Sequence, residues 1–268
     1  MIIIGEKING SIPSMAKAIA EKDEALIKDL AKKQAGAGAS FIDVCASVSE
    51  DQEAETLKWL IGLVESVTDI PIAIDSPSVN VIAQVIPLCK KCGLINSVSM
   101  EGNKVDTIFP IIANTRWECI CLLSDDTGIP KSAADRLRVF GNLMKKAAGY
   151  KITPARLHID PLIEMLCTSE DGIAKVTDTM REVKRQFPEI HITGGASNIS
   201  FNLPMRKFIN RAFIILAMEA GLDSAILDPL NKELLALVYA TEALLGKDEM
   251  CLEYIGAYRE GLFGEIVK

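Results

Sequence analysis

Short apolar runs alternate with longer amphipathic segments along almost the whole chain. The short runs are rich in Ile, Val and Leu at consecutive positions, which is typical of parallel strands buried on both faces. They predict eight strands, at Ile2–Ile4, Phe41–Val44, Ile72–Ile74, Leu94–Ile95, Cys119–Leu122, Leu157–Ile159, His191–Thr193 and Ser224–Leu227. Apolar residues that recur every three or four positions predict helices between them. Examples are Glu24–Ala35, Glu53–Val67, Asn80–Lys90, Ala133–Ala148, Glu170–Gln186 and Met205–Ala220.

Eight strands with intervening helices in about 250 residues predict a (β/α)8 TIM barrel. A doubly wound open sheet would show the same alternation, so the count alone leaves that architecture open. No linker, low-complexity tract or change of composition divides the chain. We therefore expect residues 1–268 to form one domain, with a terminal helix after Gly246 that packs onto the barrel.

Composition and charge exclude several classes of function. Hydrophobic residues make up 49 % of the chain, and the net charge is −7 with the basic residues dispersed. That balance argues against a nucleic-acid-binding surface. No apolar stretch reaches the roughly 18 residues of a membrane span. The start, "MIIIGEKING", lacks the basic region and cleavage site of a signal peptide, so we interpret it as the first buried strand and expect a cytoplasmic protein.

The seven cysteines could suggest a structural zinc site built from Cys89, Cys92, Cys119 and Cys121. Cys89 ends an apolar helical pattern, and Cys119 and Cys121 alternate along one face of a predicted strand. Both patterns are typical of core thiols, and the pairs lack the usual symmetric zinc spacing. We therefore expect reduced thiols and no bound metal.

Other common catalytic motifs are absent or misplaced. The "GAGAS" of Gly36–Ser40 precedes a strand, whereas a dinucleotide-binding loop follows one. Neither a P-loop nor a G-x-S-x-G motif occurs. His158 and His191 lie inside apolar strands, so we expect core histidines with satisfied hydrogen bonds.

Polar residues follow seven of the eight predicted strands. These residues are Glu6 and Asn9, Asp43, Asp75, Asn96, Asp160, Ser197 with Asn198, and Asp228. A single Asp after a strand usually caps a helix or a turn. In a barrel, however, all these positions converge on the face that carries active sites. Polar residues at seven strand ends would form a ring on this face, and this ring predicts a binding site there.

The residue types in this ring favour recognition over nucleophilic attack. Carboxylates and amides predominate, without Lys, His or Cys at a nucleophile position. A 2-amino-4-oxo pyrimidine presents adjacent N–H donors that one carboxylate accepts together, and an Asn amide complements the remaining donor and acceptor. A flat polar heterocycle is therefore the predicted ligand, and a divalent metal held by the carboxylates is an alternative.

Five ordered motifs carry a resemblance to a known family. They are "IIIGEKIN", "IAIDSPS", "LINSVSMEG", "LHIDPL" and "GGASNISF", and the similarity extends to "TGIPK" and "INRAFIILAMEAGLDSAILD". In order and spacing the chain resembles the methyltetrahydrofolate:corrinoid protein methyltransferases and the folate module of cobalamin-dependent methionine synthase. Dihydropteroate synthase is a more distant relative that shares the barrel.

The resemblance implies roles for particular residues. Asp75, Asn96 and Asp160 match residues that hydrogen-bond the pterin ring, and Asn198 matches the catalytic asparagine that reaches pterin N5, which bears the methyl group. The remaining expected pterin-site residues are Ser197, Arg206, Glu6, Asn9 and Asp43.

The implied activity is methyl transfer between N5 of (methyl)tetrahydrofolate and the cobalt of a separate corrinoid protein, in a direction that the sequence leaves open. The chain has no D-x-H-x-x-G cobalamin motif, so cobalamin is expected on the partner. The resemblance and the apolar content also predict a homodimer.

Two positions depart from the family pattern. Cys45 stands where many relatives carry an Asn, in Asp-x-Asn-x-Gly, and Phe201 stands where corrinoid-protein methyltransferases often have Gln. Two other functions remain open: a dihydropteroate synthase, whose expected lysine and arginine pair "ASNISF" does not supply, and a folate-binding protein without catalysis.

Overall fold

The computed structural model of the chain describes residues 1–264. Its strands are β1 (Ile2–Asn9), β2 (Phe41–Cys45), β3 (Ile72–Asp75), β4 (Leu94–Met100), β5 (Glu118–Asp125), β6 (Leu157–Asp160), β7 (His191–Ile192) and β8 (Ser224–Leu227). All paired strands run parallel, each beside its neighbour in sequence, and β1 also pairs with β8. The Ile226 amide donates to the Gly194 carbonyl at 3.2 Å and connects β8 to the end of β7. The predicted (β/α)8 barrel is confirmed.

Helices follow the strands and cover the barrel. They are α1 (Pro13–Ala20), α2 (Glu24–Gly36), α3 (Glu50–Glu65), α4 (Val79–Val85), α5 (Lys104–Ile112), α6 (Ala133–Gly149), α7 (Ala174–Gln186), α8 (Arg206–Glu219), α9 (Lys232–Leu244) and α10 (Leu252–Arg259). The expected terminal helix after Gly246 is α10.

Two helices are shorter than the sequence pattern predicts. The helix predicted over Asn80–Lys90 ends as α4 at Val85 and continues only as a 3-10 turn over Ile86–Leu88. Pro87 lies in that turn and has no N–H to donate to an α-helical carbonyl. The helix predicted from Glu170 begins instead at Ala174, because Gly172 adopts a left-handed conformation with φ +59°.

The core has two layers, set by the alternation of side chains along each strand. A small cluster inside the barrel contains Ile4, Phe41, Ala73, Leu94 and Ile120, one from each of the first five strands. A larger cluster fills the space between the outer face of the strands and the helices. The interior is therefore a packed plug, and inward positions nearer the carboxyl ends of the strands lie above it.

The two histidines lie at the level of this plug, where His158 pairs with Ile120 and with His191 of the neighbouring strands. His158 is fully buried, with Nδ1 3.0 Å from Ser224 Oγ and Nε2 2.7 Å from Glu118 Oε2. His191 Nδ1 lies 3.2 Å from Asp223 Oδ2. The prediction of hydrogen-bonded core histidines is confirmed.

Candidate functional site

The inward positions above the apolar plug carry most of the predicted site residues. On each strand, the next side chain that points inward lies two residues after the plug residue. These side chains are Glu6 on β1, Asp43 on β2, Asp75 on β3 and Asn96 on β4. Asp160 takes the same position on β6, two residues after His158. Because the strands are parallel, these side chains share the carboxyl-terminal face of the barrel.

Asp43, Asn96 and Asp75 form a connected group across three adjacent strands. Asn96 Nδ2 donates to Asp43 Oδ1 at 3.0 Å, across the intervening β3. Because β2 extends to Cys45, Asp43 lies inside the strand and not, as the sequence suggested, at its end. Its side chain is 1 % exposed. Burial, and then the charge of Asp75, raise the pKa of Asp43 well above its usual range. Burial also raises the pKa of Asp75 to about 6.

Cys45 adds a thiol to this group at the position where the resemblance would place an amide. Its Sγ lies 3.2 Å from Ser47 Oγ, and Cys45 is paired in register with Asp75 on the neighbouring strand. Burial, followed by the charge of Asp75, raises the pKa of Cys45 to about 12. The thiol is therefore protonated at neutral pH.

A cavity of about 900 Å³ opens over the ends of β5, β6 and β7, and Asp43, Asp75 and Asn96 are not among the residues that line it. Its lining comprises Leu122, Ile129, Lys131, Asp160, Leu162, Ile163, Glu164, Met165, Thr168, Glu170, Asp171, Lys175, Asn198 and Phe201. Six of these residues are apolar and eight are polar, a mixed lining that suits a small organic ligand with many polar atoms. Of the expected residues, the structure brings Asp160 and Asn198 to this one cavity.

Asp160 supplies an acceptor to the cavity. The Leu162 amide donates to its Oδ1 at 2.7 Å, which fixes the carboxylate. Burial raises the pKa of Asp160 to about 6, while the Leu162 N–H and the charge of Arg136 act in the opposite direction. At neutral pH Asp160 is therefore mostly an ionised carboxylate with little competing water, suited to accept N–H donors from a ligand.

Asn198 lies on a 3-10 turn, Ala196–Ser200, directly after β7. Its side chain is exposed, and a Cβ at Gly195 would lie 3.2 Å from its Nδ2. A Cβ at Gly194 would meet Ile163 Cδ1 at 2.5 Å. The two glycines therefore let the end of β7 pass close to the Asp160 segment and leave room for the Asn198 amide at the cavity.

Arg206 and Ser197 stabilise the turn that carries Asn198. Arg206 Nη2 donates to the Ser197 carbonyl at 2.9 Å, and Nε donates to Ser200 Oγ at 3.0 Å. Its guanidinium also lies 5.5 Å from the centroid of the Phe201 ring. In this structure Arg206 contacts the turn and is not among the residues that line the cavity.

Glu6 and Asn9 lie on the other side of the barrel mouth. Burial, and then the charge of Asp228, raise the pKa of Glu6, while Lys7 Nζ lies 3.2 Å from Asp228 Oδ2. Asn9 Oδ1 accepts a hydrogen bond from the Ser11 amide at 2.9 Å. Asn9 thus closes a turn, and Asp228 likewise accepts from the Leu230 amide, as a capping residue would.

Sequence reasoning missed charged residues behind and around the cavity. Arg136 is fully buried on α6, and its partner Glu164 also pairs with Lys175 at 2.6 Å. A charged residue at a position where the α6 pattern is apolar was the available signal for Arg136. The strand β5 also ends in a carboxylate, Asp125, but this one caps the Thr127 amide and pairs with Arg138.

Two negative findings concern the described part of the chain. Within residues 1–264, no group of three or more His, Cys, Asp or Glu side chains is arranged to hold a metal ion. Across the same residues, no helix is both long and apolar enough to cross a membrane. All seven cysteines are free thiols, including the four considered as zinc ligands.

The sequence profile described as pterin binding enzyme matches residues 9–228. This chain belongs to the pterin-binding enzyme family. It is 43 % identical over 268 residues to a methylcorrinoid:tetrahydrofolate methyltransferase of Eubacterium limosum, with 99 % of both chains covered. It is 29 % identical to methionine synthase of Mycobacterium leprae over 84 % of this chain and 20 % of that protein.

Solved structures support the fold. A dihydropteroate synthase from Clostridium difficile superposes with a TM-score of 0.70 at 18 % identity, covering 91 % of this chain and 96 % of that one. A dihydropteroate synthase from Xanthomonas albilineans gives a TM-score of 0.67 at 15 % identity, with 92 % of each chain covered. At these identities the likeness establishes a shared barrel and not a shared reaction.

Proposed function

We propose that the chain transfers a methyl group from the cobalt of a methylated corrinoid protein to N5 of tetrahydrofolate, and that the reverse transfer uses the same site. The observation that carries the proposal is the 43 % identity, over 99 % of both chains, to a methylcorrinoid:tetrahydrofolate methyltransferase. The name of that relative supports the direction toward tetrahydrofolate. Dihydropteroate synthases share the barrel at only 15–18 % identity. This likeness therefore does not support a synthase reaction for the chain.

The pterin ring would bind between the buried Asp43–Asn96–Asp75 group and Asp160. Ionised Asp75 and Asp160 can each accept pterin N–H donors as charge-assisted hydrogen bonds. Asn96 already donates to Asp43, so its amide oxygen is left to accept from the ring. Glu6, Asn9, Ser197 and Arg206 would act less directly, since their observed contacts hold the surrounding turns and strand ends.

Asn198 would act at N5. In the proposed direction the N5 lone pair forms the new N–C bond, both electrons of the broken C–Co bond remain on cobalt, and N5 loses its proton. An amide can accept from N5–H before transfer and donate to N5 in the reverse reaction. Such a contact stabilises the charge that develops at N5 and so favours the transition state over the bound substrate.

The corrinoid protein would approach through the open mouth of the cavity. Cobalamin is supplied by that partner, and its cobalt must come within bonding distance of the methyl group. Phe201 and Ile129 line the cavity and are 53 % and 62 % exposed, and Met205 beside the Asn198 turn is 63 % exposed. Exposed apolar residues of this size at a cavity mouth favour a protein partner there.

The homodimer predicted from the sequence remains a proposal, and α8 supports it. Phe208, Ile215 and Leu216 are 55, 39 and 52 % exposed, and their spacing puts them on one side of the helix. An apolar stripe of this kind is typical of an interface between protein chains. We propose that two copies pack through α8.

A cytoplasmic location is also part of the proposal. All seven cysteines are free, and three of them, Cys45, Cys119 and Cys121, are buried. Free thiols in this number are typical of a reducing compartment. Fractionation of the native host, with the chain detected by antibody, would test the location.

The test of the proposed reaction is spectroscopic. The protein is mixed with tetrahydrofolate and a methylated corrinoid protein, and separately with methyltetrahydrofolate and a reduced one, while cobalt absorption is followed. Transfer in both mixtures is expected, faster in the first under equal conditions, and EDTA should leave pterin binding unchanged. Tight pterin binding without transfer in either mixture would instead identify a non-catalytic folate-binding protein.

A further inference from the structure

Arg136 is a charged residue in an apolar setting. It lies in the second turn of α6 and is 0 % exposed, on the same buried side as Val139, Phe140 and Leu143. Burial of a guanidinium is strongly unfavourable unless partners compensate its charge. A position that packing alone would fill with an aliphatic side chain therefore requires an explanation.

Both hydrogen-bonding nitrogens of Arg136 contact the segment that follows Asp160. Nε donates to the Pro161 carbonyl at 2.7 Å, and Nη2 donates to Glu164 Oε1 at 3.1 Å. Nη1 makes no hydrogen bond within the described residues. The second Glu164 oxygen pairs with Lys175 Nζ at 2.6 Å, so Glu164 has a second cationic partner besides Arg136.

This segment forms one wall of the cavity. Leu162, Ile163 and Glu164 all line it, and Leu162 has a left-handed backbone conformation, with φ 65°. The Leu162 amide is the donor that fixes Asp160 Oδ1. Arg136 thus binds the carbonyl of Pro161, the residue that lies between Asp160, which accepts this hydrogen bond, and Leu162, which donates it.

We propose that Arg136 is a positioning residue for the pterin site, which fixes the segment after Asp160 and so holds the Asp160 carboxylate in place for ligand binding. This inference rests on the proposed function, because it concerns the same site. Arg136 acts from behind the cavity wall and does not touch the ligand.

The electrostatics agree with this geometry. Burial raises the pKa of Asp160, and Arg136 is the side-chain charge that opposes this rise. The other charged groups that face the cavity are Lys131, Glu164, Glu170, Asp171 and Lys175. Lys131, Glu170 and Asp171 are exposed to solvent, which screens them, whereas Arg136 is fully buried.

The test is the pH dependence of 5-methyltetrahydrofolate binding, measured by calorimetry between pH 5 and pH 8. The variants are Arg136→Met, Arg136→Lys and Glu164→Gln, with Arg138→Met as the matched control. Arg138 lies two residues along the same helix, is exposed and pairs with Asp125 outside the cavity. Thermal melts of each variant measure stability separately.

The charge at position 136 should set the midpoint pH at which ligand binding is lost on acidification. For Arg136→Met we expect its midpoint to rise by at least about half a pH unit, because Asp160 loses its opposing charge. Arg136→Lys should keep the wild-type midpoint and bind more weakly, since lysine cannot reproduce the two contacts. Glu164→Gln removes a negative charge, so its midpoint should stay or fall, and Arg138→Met should match wild type.

A purely structural ion pair gives a different pattern. Arg136→Met and Glu164→Gln break the same pair, so that role predicts equal shifts of affinity at every pH and no change of midpoint. This result, or a raised midpoint in Glu164→Gln, would overturn the inference. If Arg136→Met does not fold, Arg136→Gln takes its place, since it removes the charge and keeps a polar side chain: a raised midpoint supports the inference and an unchanged midpoint overturns it. Failure of wild type to bind 5-methyltetrahydrofolate would instead refute the proposed function.

Discussion

Replacement of Asn198 by alanine should slow methyl transfer far more than it weakens pterin binding. Asn198 lies on an exposed turn, and its side chain makes no hydrogen bond to another side chain or to the backbone within residues 1–264. Truncation there should change the free energy of unfolding by no more than about 0.5 kcal/mol. The variant therefore tests function with little disturbance of the fold.

The expected magnitudes follow from the proposed contact at N5. A neutral hydrogen bond contributes about 0.5–1.5 kcal/mol to ground-state binding, which corresponds to a rise in Kd of about 2- to 10-fold. A preorganised contact that strengthens in the transition state contributes about 2.7–4 kcal/mol, which corresponds to a fall in kcat of about 100- to 1,000-fold. The ratio of the two effects, at least about tenfold, is the predicted quantity.

The assay combines single-turnover cobalt spectroscopy with calorimetric titration of 5-methyltetrahydrofolate. Asn202→Gly is the matched control, because it removes a second exposed amide from the same segment, and glycine suits the left-handed backbone there, with φ 62°. Asn202 does not line the cavity. Equal losses of rate and affinity in Asn198→Ala, or a rate loss of the same size in Asn202→Gly, would refute the assigned role.

Three further predictions concern stability, partner binding and assembly. Asp160→Asn should weaken pterin binding yet stabilise the fold by roughly 2 kcal/mol at pH 7, because the raised folded-state pKa of Asp160 means that stability is lost as pH rises from about 4 to about 6. Denaturant melts should show this gain disappearing below about pH 4, and a gain that persists there would contradict the cause. Phe201→Ala should raise the KM for the corrinoid protein several-fold and leave the Kd for pterin near wild type, and the reverse pattern would place Phe201 on the folate. Leu216→Glu should convert a dimer to a monomer in light scattering, and an unchanged mass would exclude α8 as the interface.

The barrel could be predicted from the sequence because its strands are buried on both faces. Short continuous apolar runs such as Ile72–Ile74 predict strands of this kind. The structure has a strand at each of the eight predicted places. Helix ends were less predictable, because they depend on single residues. Pro87 and Gly172 shorten two helices whose amphipathic patterns extend further.

The candidate site was predictable in its inward residues and not in its supporting contacts. Asp160 and Asn198 lie 38 positions apart, yet the rule that parallel strand ends converge brings them to one cavity, and the structure does so. Arg136 contacts a carbonyl 25 residues away, and Arg206 hydrogen-bonds the Ser197 carbonyl and does not line the cavity. Such contacts depend on how helices pack on the barrel, which no local pattern in the sequence specifies.

The most direct measurement uses a corrinoid protein whose cobalt carries a ¹³C-methyl group. It is incubated with tetrahydrofolate and this protein, and the products are followed by ¹³C NMR. We expect one labelled methyl on N5 of tetrahydrofolate for each corrinoid demethylated, in a reaction that Asn198→Ala slows by about 100-fold or more. A label that stays on the corrinoid while tetrahydrofolate is bound would contradict it.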